Sequence, residues 1–157
     1  MTNFSALYRK YAPDVFRFAL YLSGERSEAE DITAETFVRV WAAPERIEMG
    51  TVKGYLFTIA RNLFLQERRK RSRQVELDRE PLDARASPQV EAEQKAELRA
   101  VLAEMQQLPE VDRAALLMRA GEGMSYEEIA RALGISLSAA KVKVHRARLA
   151  LAGLRNA

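Results

Sequence analysis

The chain has 157 residues, 48% hydrophobic and 30% charged, enough for one ordinary domain or two small ones with a core. It holds no cysteine and a single histidine, His145, which excludes a disulfide framework, a thiol nucleophile, a Cys-ligated zinc site and a multi-His metal site. The net charge is only +3, no apolar run approaches the roughly 18 residues that span a bilayer, and Met1 to Tyr11 lack the charged-then-apolar order of a signal peptide. A cytoplasmic protein with no membrane insertion is expected.

Phe4, Leu7, Tyr8, Tyr11, Val15, Phe18, Ala19 and Leu22 recur at three- and four-residue steps and predict a helix that Gly24 ends. Pro13 removes one backbone donor inside it and marks a place to bend. Ser27 and Glu30 have the spacing of a capping box for a second helix. Its inner stripe is Ala29, Thr33, Phe37 and Trp41, and it stops near Pro44. Thr51 is placed to cap a third helix with Leu56, Ile59, Ala60 and Leu63 inward. That helix runs into a tract, Arg68 to Arg73, where five of six residues are basic.

Residues 74–93 read as a flexible linker, because Pro81, Ser87 and Pro88 interrupt them and their apolar residues have no period. Fully extended, the twenty residues reach roughly 70 Å. That span joins two modules about two duplex turns apart, at roughly 35 Å per turn. Helical period resumes with Leu98, Val101, Leu102, Met105 and Leu108. Pro109 stands where a first helical turn tolerates proline, and a helix through Ala114, Leu117 and Met118 ends near Gly121 and Gly123. No segment alternates with β-branched enrichment, so no strand is predicted. The expected fold is all-α: two small helical domains, 1–73 and 94–157, joined by the linker.

Charge is unevenly spread. From Gln74 to Glu97 seven acids face Arg79, Arg85 and Lys95. After Glu128 no acid remains, while Arg131, Lys141, Lys143, Arg146, Arg148 and Arg155 follow. Two basic zones flanking an acidic segment point to two contacts with a polyanion, nucleic acid first. Solvated helix ends are the plain alternative on charge alone.

The segment from Ser125 to Arg148 carries the most specific pattern. Ser125 and Glu128 fit a capping box, and Tyr126, Ile129, Ala130 and Leu133 form an inner face. Gly134 supplies a sharp turn, Ile135 plugs the core beneath it, and Ser136 or Ser138 caps the next helix. There Ala140, Val144, Ala147 and Leu151 face inward, Lys141, His145 and Arg148 outward, and Val142 and Arg146 lie beside them. This is a helix-turn-helix pattern whose second helix fits a major groove. Lys or Arg there can contact guanine, and the Val142 methyls a thymine methyl.

Longer motifs bring a family into view. Leu108-Pro-Glu, Arg113, Leu116-Leu-Met-Arg, Gly123-Met-Ser-Tyr-Glu-Glu-Ile-Ala and Lys141-Val-Lys-Val-His-Arg-Ala-Arg resemble the promoter-reading C-terminal domain of extracytoplasmic-function sigma factors, group IV of the sigma-70 family. Ala29-Glu-Asp-Ile-Thr-Ala-Glu-Thr-Phe-Val-Arg-Val-Trp41 resembles their polymerase-docking helix. Gly54-Tyr-Leu-Phe-Thr-Ile-Ala-Arg-Asn62 and the basic tract resemble their −10 melting helix.

The resemblance implies a bacterial sigma factor that directs core RNA polymerase to promoters in response to a stress or signal. Its implied partners are promoter DNA, the β′ clamp and β flap of the polymerase, and an anti-sigma factor. It implies that Asp31, Glu35, Val38 and Trp41 meet the polymerase. Tyr55, Arg61, Asn62, Arg68 and Arg69 would bind the −10 element, the arginines through phosphates. Lys141, Val142, Lys143, His145, Arg146 and Arg148 would bind the −35 element. Departures stand at Ala34, where the family usually has Gln, at Ala140 for Val and at Val142 for Ser.

Two other classes compete. A stand-alone regulator with a LuxR-like helix-turn-helix fits the C-terminal motifs, although the N-terminal half lacks a ligand or phospho-acceptor pattern. An enzyme finds no Gly-rich phosphate loop, nucleophile motif or metal-ligand cluster. No catalytic residue, metal, cofactor or small-molecule substrate is expected.

Overall fold

The computed structural model describes residues 3–48, 51–75 and 92–155. In chain order they form α1 (Phe4–Ser23), α2 (Arg26–Ala42), a 3₁₀ turn (Pro44–Glu48), α3 (Val52–Val75), α4 (Ala92–Gln106), α5 (Glu110–Leu116), a π turn (Leu117–Gly121), α6 (Tyr126–Leu133) and α7 (Leu137–Arg155). No strand occurs among the described residues. Most of the predicted linker lies outside them; its ends are helical, since α3 runs through Val75 and α4 begins at Ala92.

The N-terminal unit packs α1, α2 and α3 around an aromatic and aliphatic centre. Val15, Phe18, Ala19 and Leu22 of α1 are buried against Ala29, Phe37 and Val40 of α2 and against Leu56, Phe57, Ala60 and Phe64 of α3. Phe18 and Phe57 stack with ring centres 4.8 Å apart. The inner face of α3 is therefore Leu56, Phe57, Ala60 and Phe64, while Ile59 and Leu63 are only partly covered. Gly24 ends α1 in the left-handed region at φ 78°, as expected of a residue without Cβ. Thr51 caps α3 through a 3.1 Å bond from the Gly54 N–H.

Two expectations fail at α2. Its first residue is Arg26, so Ser27 lies within the first turn and caps nothing; Glu25 is the N-cap residue and its side chain makes no capping bond. The turn after Gly24 is so short that the helix starts before Ser27 is reached. Trp41 is also not in the core: it is 67% exposed at the last turn of α2, where its ring touches Phe4 at the start of α1 without being covered by it.

In the C-terminal unit Ser125 accepts the Glu128 N–H at 3.1 Å, and Ser136 rather than Ser138 accepts the Ala139 N–H at 3.1 Å to cap α7. Gly134 links α6 to α7 at φ 67° with nothing near its Cβ position. Gly134→Ala therefore pays only the backbone term, and is expected to destabilise the protein by about 1 kcal/mol in urea unfolding. An unchanged midpoint would show that the turn relaxes to another conformation. Ala140, Val144 and Ala147 are buried under α5 and α6 with Ile129 and Leu133.

The two units lie directly on one another. Arg61 of α3 makes a two-pronged contact with Glu110 of α5, at 2.8 and 2.7 Å. Arg17 of α1 does the same to Glu122, at 3.1 and 3.0 Å. Thr51 donates to Glu128 at 2.9 Å, and the Gln106 amide donates to the Leu22 carbonyl, which closes α1, at 3.1 Å. Burial pushes the Glu122 carboxyl up, and the Arg17 bond opposes it. That same bond is the main reason the Arg17 guanidinium is held above its ordinary value.

Candidate nucleic-acid interface

Helix α7 presents the predicted base-reading residues. Its buried stripe of Ala140, Val144 and Ala147 turns Lys141, Val142, His145 and Arg146 to solvent. Leu149 is exposed two turns beyond Val142, an apolar side chain to which the sequence reading gave no place on either face. Arg148 is exposed but sits at the edge of a groove with Leu151, away from the middle of the outer face. Lys143 is half-buried, with its Nζ 3.7 Å from Asp112. Arg146 meets the same carboxylate through Nε at 3.0 Å and Nη2 at 3.1 Å. The Arg119 guanidinium lies over the Tyr126 ring at 4.4 Å and the Lys141 ammonium near it at 5.9 Å, which stiffens the start of the helix-turn-helix.

Helix α3 carries the second basic zone. Asn62 and Arg69 are exposed along it. Arg68 donates to the Ser23 carbonyl at 2.9 Å and covers the Phe64 ring at 4.8 Å. Arg61 is engaged by Glu110, and Tyr55 lines a cleft of about 500 Å³ with Glu128 and Arg131 of α6. In this arrangement α5 and α6 lie against the first half of α3, while Arg69 and Lys70 at its basic end are exposed. Sequence reasoning had no means of finding the Arg61–Glu110 and Arg17–Glu122 pairs, because their members are far apart along the chain.

A third surface is acidic and apolar. Asp31 and Glu35 lie exposed one turn apart on α2; Glu35 pairs with Arg39 one turn further along the same helix at 3.4 Å, and these residues line a cleft with Glu67 and Lys70 of α3. At the end of α2, Val38 and Trp41 are exposed, and the Trp41 indole packs edge-on against Phe4, ring centres 4.9 Å apart. Phe4 and Tyr8 also pack on Phe37, so α1 contributes an aromatic buttress that helical period alone assigned to the core. Below this face Glu28 is buried. Its Oε2 is 3.2 Å from Arg71, without hydrogen-bond geometry, and burial raises its carboxyl above the ordinary range against the pull of Arg71 and Arg68.

An apolar groove of about 650 Å³ runs between α1, α4, the π turn and α7. Phe18, Tyr21, Met105, Leu117 and Leu151 line it, with Arg17 and Arg148 at its rim. No helix among the described residues is long and apolar enough to cross a membrane, and no group of three or more potential ligands forms a metal centre there.

Comparison with known proteins accounts for both units. The family described as Sigma-70 region 2 matches residues 7–74, and Sigma-70, region 4 matches residues 98–151. SigE of Mycolicibacterium smegmatis, an ECF RNA polymerase sigma factor, is 36% identical over 94% of this chain, which spans 60% of SigE. SigL of Mycobacterium tuberculosis is 35% identical over 93% of this chain and 85% of its own. The sigma factor RpoE of Bartonella quintana, solved in complex with the anti-sigma factor NepR, superposes with a TM-score of 0.80 at 29% identity, covering 98% of this chain and 96% of RpoE. CnrH, solved with the cytosolic domain of CnrY, shares the fold at a TM-score of 0.75 and 22% identity, over 98% of this chain and 87% of CnrH. A LuxR-like regulator has no support here, since the N-terminal half matches region 2. With region 2 and region 4 in that order, and with relatives alike across almost its full length, the chain belongs to the extracytoplasmic-function RNA polymerase sigma factors of the sigma-70 family.

Proposed function

We propose that this chain lends promoter specificity to core RNA polymerase through two modules, 1–73 and 94–157, and catalyses no covalent step itself. The observation that carries the reading is the presence of two separate exposed basic surfaces on one chain. One is the outer face of α7 and the other the Asn62–Arg69 side of α3. The α7 face has the residue types that read a −35 duplex: Lys141, His145 and Arg146 as donors, Val142 and Leu149 as apolar contacts. On α3, Asn62 offers an amide to an unstacked −10 base and Tyr55 a ring on which one stacks. Arg61, Arg68 and Arg69 hold phosphates.

Asp31, Glu35, Val38 and Trp41 dock on the β′ clamp, and the C-terminal module reaches the β flap. The groove between α1 and α7 suits an amphipathic helix of an anti-sigma factor, whose apolar stripe would meet Phe18, Met105 and Leu151. The packing of the two units on one another supports this, because RpoE, solved in complex with NepR, has a similar whole-chain arrangement. Signal-dependent release of such a partner would make transcription inducible, and the work is done in the cytoplasm.

The test is run-off transcription by purified bacterial core polymerase on the DNA upstream of this protein's own coding sequence. A discrete transcript that requires the protein is expected. Tight operator binding by the protein alone, with no transcript, would replace the sigma reading with that of a direct regulator.

A further inference from the structure

Arg146 does not hang free on the recognition helix. Asp112, in the first turn of α5, is only 2% exposed and turns its carboxylate toward α7. Its Oδ2 accepts Arg146 Nε at 3.0 Å and its Oδ1 accepts Nη2 at 3.1 Å. Lys143, one turn earlier on α7, stands 3.7 Å from the same Oδ1. The Arg146 side chain nonetheless remains 58% exposed.

Guanidinium has five N–H donors in a rigid plane. Asp112 occupies the side edge formed by Nε and Nη2, which leaves both Nη1 hydrogens and one on Nη2. One hydrogen of each Nη lies along the end edge, the fork that matches N7 and O6 of guanine. A free arginine must order several torsions to make such a contact, whereas one clamped at its side edge has most of them fixed beforehand. The clamp itself is rigid, because a buried aspartate on a packed helix has nowhere else to go.

From this geometry we infer that Asp112 is a positioning residue for base reading: it fixes the Arg146 guanidinium with its end fork toward the major groove. The inference rests on the reading of α7 as the −35 helix and adds a residue outside that helix to its specificity. Lys143, drawn to the same carboxylate, is held at the flank and contributes charge more than base selection. The plain alternative is that Asp112 only ties α7 to α5.

The experiment uses holoenzyme reconstituted from the full chain and core polymerase, on its mapped promoter and on variants with single base changes through the −35 element. The readout is the ratio of transcription from the original promoter to that from each variant. Partial unfolding of a sample cancels in that ratio, so a loss of stability alone leaves it unchanged. Asp112→Asn is expected to lower the ratio about tenfold at the same base positions as Arg146→Ala, the size of one two-pronged base contact. The double substitution is expected to lower it no further than Arg146→Ala. If Arg146→Ala loses discrimination and Asp112→Asn keeps it, Asp112 is an anchor and the inference falls while base reading by α7 stands. If Arg146→Ala keeps discrimination in an active holoenzyme, base reading by Arg146 falls and the inference with it. A loss from Asp112→Asn that adds to that of Arg146→Ala also overturns it, since Asp112 would then act by another route.

Discussion

Reversing two charges on α2, Asp31→Arg with Glu35→Arg, is expected to weaken association with core polymerase at least about a hundredfold, because like charges set against a complementary surface cost several kcal/mol. The same change should leave the fold intact. Asp31 makes no hydrogen bond or ion pair among the described residues, and the only ion pair of Glu35 is the exposed 3.4 Å contact with Arg39. An exposed pair of that kind contributes at most about 1 kcal/mol. Binding to labelled core polymerase, with circular dichroism and a melting curve on the same samples, separates the two effects. A doubly reversed protein that melts normally and still binds with unchanged affinity would remove this face from the docking scheme. Trp41, exposed at the end of the same helix, is the apolar contact proposed for that docking face.

The largest loss of stability from one substitution is expected at Phe57. Its ring is fully buried and stacked on Phe18, so it joins α3 to α1 at the centre of the N-terminal unit. Truncation removes apolar area and leaves a cavity that the packed neighbours fill only in part. Phe57→Ala should therefore cost about 3–5 kcal/mol. Against a total stability of about 5–15 kcal/mol this brings much of the chain to the edge of unfolding at physiological temperature. Urea denaturation measures it; a cost below about 1 kcal/mol would mean the three helices collapse onto the vacancy. The cost should depend little on pH, since no cation stands over the Phe18 or Phe57 ring among the described residues, unlike Arg68 over Phe64.

What the sequence made legible was local. Thr51, Ser125, Ser136, Gly24 and Gly134 each act within a few residues of themselves, and each caps or turns as their chemistry requires. The inner faces of α1, α6 and α7 followed from their period. The failures have physical causes of the same clarity. Ser27 and Glu30 have the right spacing for a cap, but the helix had already begun at Arg26. Trp41 continues the inner stripe of α2 at its last turn, where Phe4 at the start of α1 meets the ring but leaves most of it exposed. Pro109 serves as the N-cap residue of α5 rather than as its first helical residue, a shift of one position. The five residues Leu117–Gly121 form a π turn, in which the Glu122 N–H reaches the Leu117 carbonyl at 3.1 Å, and the added residue per turn breaks the period that sequence reading relies on. The site was legible as a set of residue types on α3 and α7. Which of those residues already have partners was not, because Asp112 and Glu110 approach them only in the folded chain.

Those partners change how salt should act on this protein. Arg61 and Lys143 each lie against a carboxylate of the same chain. A cation that leaves a carboxylate for a phosphate exchanges one neutralised site for another. The phosphate sheds its condensed counter-ions, but a deserted Glu110 attracts fresh ones from solution. The slope of log K against log salt, about 0.9 per phosphate contact for duplex DNA, then falls short of what the number of engaged arginines and lysines would give. Arg69, with no such internal partner among the described residues, should carry its full share. By this route the chain would hold part of its own ionic atmosphere, and its proposed grip on DNA should be less sensitive to ionic strength than its count of basic residues suggests.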